Sequence, residues 1–199
     1  MIEDCTAIIL AGGDSQRMGR DKANLLLGEQ TLLERVVEAM QQTFPCVIVS
    51  VRQPRPEINL PQVCDEPDVA GPLAGVIAAL AKVKTPWTFI VACDMPFVAP
   101  ALVELLAKSR SGYQAVVPVV QGHQQTLAAF YASSALGAMR AHLASGGKNS
   151  LRAILDQLRV RYVDESELLA ADPGLRSFFD LDTPQDVAAA IQQQLPDSH

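Results

Sequence analysis

Aromatic residues make up only 5% of this 199-residue chain, with a single tryptophan, and charged residues only 19%. The charge is thin, has no lysine or arginine run and sums to −6. That excludes a scaffold that grips nucleic acid through phosphate electrostatics. No uninterrupted apolar stretch approaches the ~20 residues that a membrane-spanning helix needs. Cys5, Cys46, Cys64 and Cys93 form no Cys-x-x-Cys pair, and His123, His142 and His199 are scattered, which argues against a zinc site. Cys5, Cys46 and Cys93 lie in apolar stretches and read as reduced, buried thiols. Met1-Ile2-Glu3-Asp4 lacks the basic start and apolar core of a secretory signal, so a cytoplasmic location is expected.

What is present is an apolar content of 49%, too high for a disordered chain, at a length that can bury a core without staples. The expectation is one compact domain over residues 1–199, with neither nucleic acid nor membrane as partner. An anionic small substrate stays compatible with the acidic balance, provided a local group of cations or a metal meets it.

Residues 5–11 form a short apolar run ended by Gly12-Gly13 and read as a central strand. A polar loop follows to about residue 24. Residues 30–43 place Leu32, Leu33, Val36, Val37 and Met40 on one helical face. Residues 46–51 read as a second buried strand and the proline-rich 53–61 as a loop. Pro72 opens a helix, residues 87–93 make another strand, and 99–109 another helix. Residues 115–120 and 125–132 flank a Gln-Gly-His turn as an antiparallel pair, in which Pro118 cannot donate to a ladder. Helices at 134–144 and 149–158 and a strand near 159–163 follow. Thr183 is placed to cap a last helix with Pro184 at its first position, Asp182 being a rival cap. This alternation gives a three-layer, Rossmann-like α/β fold, mainly parallel with a small antiparallel excursion. Ligand is expected beyond the carboxyl ends of the strands, where crossover loops open a crevice.

The richest loop is Leu10-Ala11-Gly12-Gly13-Asp14-Ser15-Gln16-Arg17-Met18-Gly19-Arg20-Asp21-Lys22, directly after the first strand. Gly12 and Gly13 let backbone N–H groups approach a phosphate without a Cβ in the way. From Asp14 to Lys22 there are three cations and two anions, a local +1 in an acidic protein. The pattern is neither a Walker loop nor a dinucleotide fingerprint. A plain glycine turn with solvated charges is the competing reading. Asp94 ends an apolar strand before a chain-redirecting Met95-Pro96, and its carboxylate is the hard oxygen that Mg²⁺ prefers beside substrate phosphates. A helix-capping or loop-fixing carboxylate is its alternative. Asp180 follows Phe178-Phe179 and is a candidate second ligand. Gly146-Gly147-Lys148-Asn149-Ser150 reads as a helix stop followed by a cap, although Lys148 could meet an acceptor phosphate. Residues 164–167 read as a solvated helix start, and His123 is given no role.

Taken together, LAGGDSQRMGRDK, then Asp68-Val69-Ala70-Gly71-Pro72-Leu73-Ala74-Gly75, Cys93-Asp94-Met95-Pro96 and Phe179-Asp180-Leu181-Asp182-Thr183-Pro184 resemble the molybdenum cofactor guanylyltransferases of the nucleotidyltransferase superfamily. The resemblance covers nearly the whole chain. It implies transfer of GMP from GTP to the terminal phosphate of molybdenum-molybdopterin, release of pyrophosphate and a need for Mg²⁺. It also implies that Leu10, Ala11, Gly12 and Gly13 wrap the nucleotide, that Lys22 contacts its phosphates, and that Asp68 contacts the guanosine, with Asp65 a nearby rival. Asp94 matches the metal-binding aspartate. The chain departs from the family at Ser50-Val51-Arg52-Gln53, where relatives often carry an asparagine, and at Gln125-Thr126-Leu127, where many carry Gln-Pro-Leu. Molybdoenzymes or other cofactor-biosynthesis proteins are the protein partners it implies.

The reading that follows is in-line attack by an acceptor phosphate oxygen on the nucleotide α-phosphate. That oxygen is already ionised, so no nucleophilic side chain is required. Mg²⁺, Lys22, Arg17, Asp94 and the glycine-loop N–H groups position the reactants and neutralise charge. Two alternatives stay open: a cytidylyltransferase acting on molybdopterin or on a sugar or polyol phosphate, and a non-catalytic GTP-binding module.

Overall fold

The computed structural model describes residues 1–12, 22–64, 71–181, 185–187 and 189–190. The glycine-ended apolar run is strand β1 (Cys5–Leu10), whose side chains are buried on both faces, as expected of a central strand. A two-strand hairpin, β2 (Leu26–Leu27) and β3 (Gln30–Thr31), leads into helix α1 (Leu32–Thr43). Thr31 caps α1 through the Glu34 N–H, and the Glu34 carboxylate accepts the Thr31 N–H in return at 2.7 Å, a reciprocal capping box. Those bonds hold the Glu34 carboxyl below its ordinary range.

Strands β4 (Cys46–Val51) and β5 (Gln62–Cys64) come next, then helix α2 (Pro72–Leu80) and strand β6 (Trp87–Ala92). Helix α3 (Pro100–Lys108) precedes β7 (Ala115–Val120), β8 (His123–Gln124) and β9 (Ala128–Ala132). Helices α4 (Leu136–Ala144) and α5 (Leu151–Ile154), strand β10 (Val160–Val163) and helix α6 (Glu165–Leu168) complete the series.

Among the described residues, eight strands form one sheet in the order β10-β7-β9-β6-β1-β4-β5, with β8 added to β7. The ladders of β1 with β4 and β6, of β4 with β5 and of β10 with β7 are parallel, while β9 runs against both its neighbours. Alternation sorts the side chains into two cores. Ala7, Ile9, Phe89 and Val91 face Leu33, Val36, Met40, Leu102 and Leu106 of α1 and α3. Ile8, Ile90, Ala129 and Tyr131 face Leu73, Val76, Met139 and Ile154 of α2, α4 and α5. The result is a three-layer α/β fold on a mainly parallel sheet. From β1 the chain winds outward to β4 and β5, then returns to β6 on the other side of β1. This switch in strand order opens a crevice at the carboxyl ends of β1 and β6.

Three features differ from the sequence reading. β5 and the β2–β3 hairpin are too short, at three and two residues a strand, to leave a periodic pattern. The antiparallel excursion is split. Gln121 and Gly122, both at positive φ (49° and 75°), make a tight turn that pairs β7 with β8, whereas β9 pairs with β7 only at Ala115 and Val116. Pro118, lacking an N–H, stands between the two pairings, and its carbonyl accepts the Gln125 N–H at 2.8 Å. Finally, all four cysteines are free thiols, but Cys46 is exposed rather than buried, because it is the first residue of β4, where the sheet meets solvent. The expected cap at Thr183 and its rival Asp182 lie outside the described residues. No described helix is long and apolar enough to cross a membrane.

Candidate active site

The carboxyl ends of three strands are stitched together by backbone. Leu10 O accepts the Cys93 N–H at 3.1 Å, and Ala11 N–H donates to Ser50 O at 2.8 Å. Leu10, Ala11 and Gly12 therefore leave the sheet between the ends of β4 and β6. The departure at Ser50 carries a backbone function: its carbonyl holds the start of the glycine loop. After β6, Met95 N–H bonds back to Ala92 O and Val98 N–H to Met95 O, the chain reversal expected of Met95-Pro96. Asp94 stands at the apex of that reversal.

Lys22 reaches the same point from another direction. A single 3-10 turn, Lys22–Asn24, buries Ala23 and is closed by Leu25 N–H on Lys22 O at 3.0 Å. Arg35 of α1 donates to Leu27 O at 2.7 Å and holds the hairpin that follows. Lys22 Nζ then donates to Asp94 Oδ2 at 3.0 Å, with the two side chains 24% and 18% exposed. A candidate phosphate-binding cation and a candidate metal-binding carboxylate, 72 residues apart in sequence, meet in the crevice.

The C-terminal segment returns here too. Leu181 N–H donates to Asp94 O at 3.0 Å, while the Leu181 side chain is buried with Leu27, Leu32, Val187 and Ala190. Asp180, next to it in the chain, is exposed. Gly13, Arg17, Asp65 and Asp68 lie outside the described residues, so of the expected site the structure brings together Leu10, Ala11, Gly12, Lys22 and Asp94.

Mg²⁺ needs one or two carboxylates, with substrate phosphates and water filling its other positions. No group of three or more His, Cys, Asp or Glu side chains is gathered among the described residues. The donor chemistry nonetheless fits: Asp94 offers a hard oxygen at the strand end and already holds a cationic ammonium at 3.0 Å. The alternative reading of Asp94 as a helix cap fails here, because α3 begins at Pro100, beyond its reach, with Ala99 at the N-cap.

Sequence reasoning missed Asn149. It was read as part of a cap for the helix that follows, but its Oδ1 accepts the Ala74 N–H of α2 at 3.2 Å. The signal was indirect: a helix opened by Gly71-Pro72 has N–H groups and no capping side chain of its own, so an acceptor must come from elsewhere.

A mainly parallel sheet with this switch point, glycines after its first strand and a lysine–aspartate pair at the crevice are the arrangement of a nucleotidyltransferase. The MobA-like NTP transferase domain matches residues 7–179, and the chain belongs to that family. It is 35% identical over 93% of its length to a Pelotomaculum thermopropionicum protein named "Probable molybdenum cofactor guanylyltransferase", of which 91% is covered. It is 31% identical to the molybdenum cofactor guanylyltransferase of Desulfosudis oleivorans, with 93% of each chain covered. The crystal structure of molybdopterin-guanine dinucleotide biosynthesis protein A from Archaeoglobus fulgidus superposes with a TM-score of 0.83 at 26% identity, covering 94% of this chain and 97% of that one.

Proposed function

We propose that this chain transfers GMP from GTP to the terminal phosphate of molybdenum-molybdopterin, as a cytoplasmic enzyme of a single domain. The observation that carries the proposal is the Lys22–Asp94 pair beside Leu10-Ala11-Gly12, at the carboxyl ends of β1 and β6. In the reaction an acceptor phosphate oxygen attacks the α-phosphorus of GTP in line. The new P–O bond forms as the bond from the α-phosphorus to the bridging β-phosphate oxygen breaks, and pyrophosphate leaves with the electron pair.

Lys22 and Arg17 would neutralise the triphosphate, and the N–H groups of the Leu10–Gly13 loop would orient it. Asp94 would hold Mg²⁺, with Asp180 the second candidate; the ion, when bound, supplies positive charge to the reacting phosphates. On nucleotide binding the Lys22 ammonium would turn from the Asp94 carboxylate to phosphate, which would leave that carboxylate available to hold the ion. Asp68, or its neighbour Asp65, would accept from the guanine or ribose. Molybdoenzymes or other cofactor-biosynthesis proteins would take the product.

The test is mass spectrometry of the pterin after incubation with GTP or CTP and Mg²⁺, with kcat/KM for each nucleotide. A guanylyl adduct and a preference for GTP are expected. Gly12, where cytidylyl-transferring relatives tend to carry alanine, lets the loop pass close to a purine. Gly12→Ala should therefore lower GTP use more than CTP use. Equal or better use of CTP by the unmodified enzyme would replace the guanylyl assignment with the cytidylyl one. No pyrophosphate release with either nucleotide would leave a binding module.

A further inference from the structure

Helix α2 begins without a capping side chain. Its N-cap is Gly71, at φ 131° and ψ 165°, and Pro72 at the first position removes one N–H. The acceptor for the Ala74 N–H comes from a loop 75 residues further on, where Asn149 Oδ1 sits at 3.2 Å. The same amide lies flat against Gly71. A Cβ on Gly71 would stand 2.8 Å from Asn149 Cγ and Nδ2, so any side chain there would evict the amide as well as strain the backbone. Gly71 and Asn149 are thus matched: the glycine makes room and the amide fills it.

The loop that carries Asn149 is itself braced. Gly146, at φ 78°, ends α4, and Gly147 N–H returns to His142 O at 2.9 Å. A Cβ on Gly147 would fall 2.4 Å from His142 Nε2, so only glycine lets the imidazole lie over the loop. His142 Nδ1 takes the Gln157 amide N–H at 2.8 Å, which leaves Nε2 protonated to donate to Lys148 O at 3.0 Å. Gln157, His142, Gly147 and Asn149 form a strut from α4 to the first turn of α2.

Helix α2 crosses back from the carboxyl-end side of β5 to the start of β6, so its first turn stands on the side of the sheet where the crevice opens. We propose that Asn149 is a positioning residue for nucleotide binding: by capping α2 and seating on Gly71 it holds the first turn of α2 in place beside the crevice. The proposal rests on the guanylyl-transfer reading, and it makes Asn149 act through α2 rather than by touching substrate.

The experiment compares the full chain with Asn149→Ala and Asn149→Asp. Aspartate keeps an acceptor oxygen at a helix N-terminus, where its charge is welcome, whereas alanine removes it. Amide hydrogen exchange at Ala74 should quicken by about fivefold or more in Asn149→Ala and return towards wild type in Asn149→Asp. KM for GTP should rise about three- to tenfold in the alanine variant with kcat and acceptor KM little changed, and Asn149→Asp should restore it. Unchanged Ala74 exchange in Asn149→Ala would overturn the cap. A fall in kcat and melting temperature together, with KM unmoved and no rescue by aspartate, would reduce Asn149 to a structural residue and overturn its positioning role. If the wild type does not use GTP, the guanylyl reading fails on its own, and the Ala74 exchange still decides on Asn149.

Discussion

Two ion pairs of the same length sit at opposite ends of β1 and β6. At the carboxyl ends, Lys22 Nζ meets Asp94 Oδ2 at 3.0 Å; at the amino ends, Arg110 Nη1 meets Asp4 Oδ1 at 3.0 Å. The surroundings differ. Arg110 also donates to Ala107 O at 2.7 Å, contacts Cys5 Sγ and lies over the rings of Trp87 and Phe130, 5.6 and 5.4 Å from their centroids. Its planar fork satisfies several partners at once and has nowhere to go. Lys22 presents a compact ammonium on a flexible stem, beside a crevice and a glycine loop. Equal distances therefore mean different things. The amino-end pair fastens α3 to the sheet; the carboxyl-end pair joins two groups to which the proposed reaction gives a phosphate and a metal to hold.

The sharpest way to break this contrast is Asp94→Asn. If Asp94 serves the reaction, transfer should fall by about 10²-fold or more, because a neutral amide is a poor ligand for Mg²⁺, while the melting temperature holds. Unfolding of the variant would make the carboxyl-end pair structural as well. Lys22→Ala should come next, lowering kcat/KM for GTP by about 10- to 100-fold, the equivalent of about 1.5–3 kcal/mol for a hydrogen bond to a charged group. Normal steady-state kinetics in that variant would remove Lys22 from the site.

The amino-end pair should answer in the other currency. Arg110→Lys keeps the charge and discards the fork and most of the ring contact. The Asp4 side chain is 52% exposed, so the ion pair itself is worth at most about 1 kcal/mol, and the carbonyl and aromatic contacts supply the rest. A loss of about 1–3 kcal/mol in denaturant unfolding is expected, with kcat/KM per folded molecule unchanged. A variant that loses activity but not stability would erase the distinction between the two ends.

Much of this arrangement was legible in the residues. Apolar runs bounded by glycine and proline marked β1, β4 and β6, and Pro72 and the 30–43 periodicity marked the helices between them. The position of Asp94 followed from strand polarity alone. Its meeting with Lys22 did not: a contact across 72 residues depends on which strand lies beside β1, and the sheet order decides that. The sequence also hides acceptors lent by distant loops. Asn149 looks like any helix-flanking asparagine until α2 is seen to lack a cap. The short strands β2, β3 and β5 exist because of their neighbours, since two or three residues cannot display a period. Cys46 follows an apolar pattern and is nonetheless exposed, because pattern reports which face a residue takes and not how far along the sheet the helices extend.

The cysteines give the smallest effect and a direct view of the same asymmetry. Cys5 lies at the braced amino end, where burial pushes its thiol from an ordinary 9.0 up to about 12, outweighing the favourable charge of Arg110. The reactive form is the thiolate, so at pH 8 Cys5 should be inert while the fold is intact. Cys93, one residue from Asp94, is also buried, whereas Cys46 and Cys64 are exposed. A chromogenic disulfide reagent should therefore titrate Cys46 and Cys64 quickly in the native protein, and all four thiols only in denaturant. Peptide mapping should find the early label on those two residues. Adding nucleotide and Mg²⁺ should leave the rate at Cys46 unchanged, since it lies at the start of β4 and away from the crevice. In Arg110→Lys the bracing around Cys5 is loosened, and its labelling should quicken through local opening, while Asp94→Asn should leave it slow. Fast labelling of Cys5 in the unmodified protein would show that the amino end is no more tightly fastened than the carboxyl end.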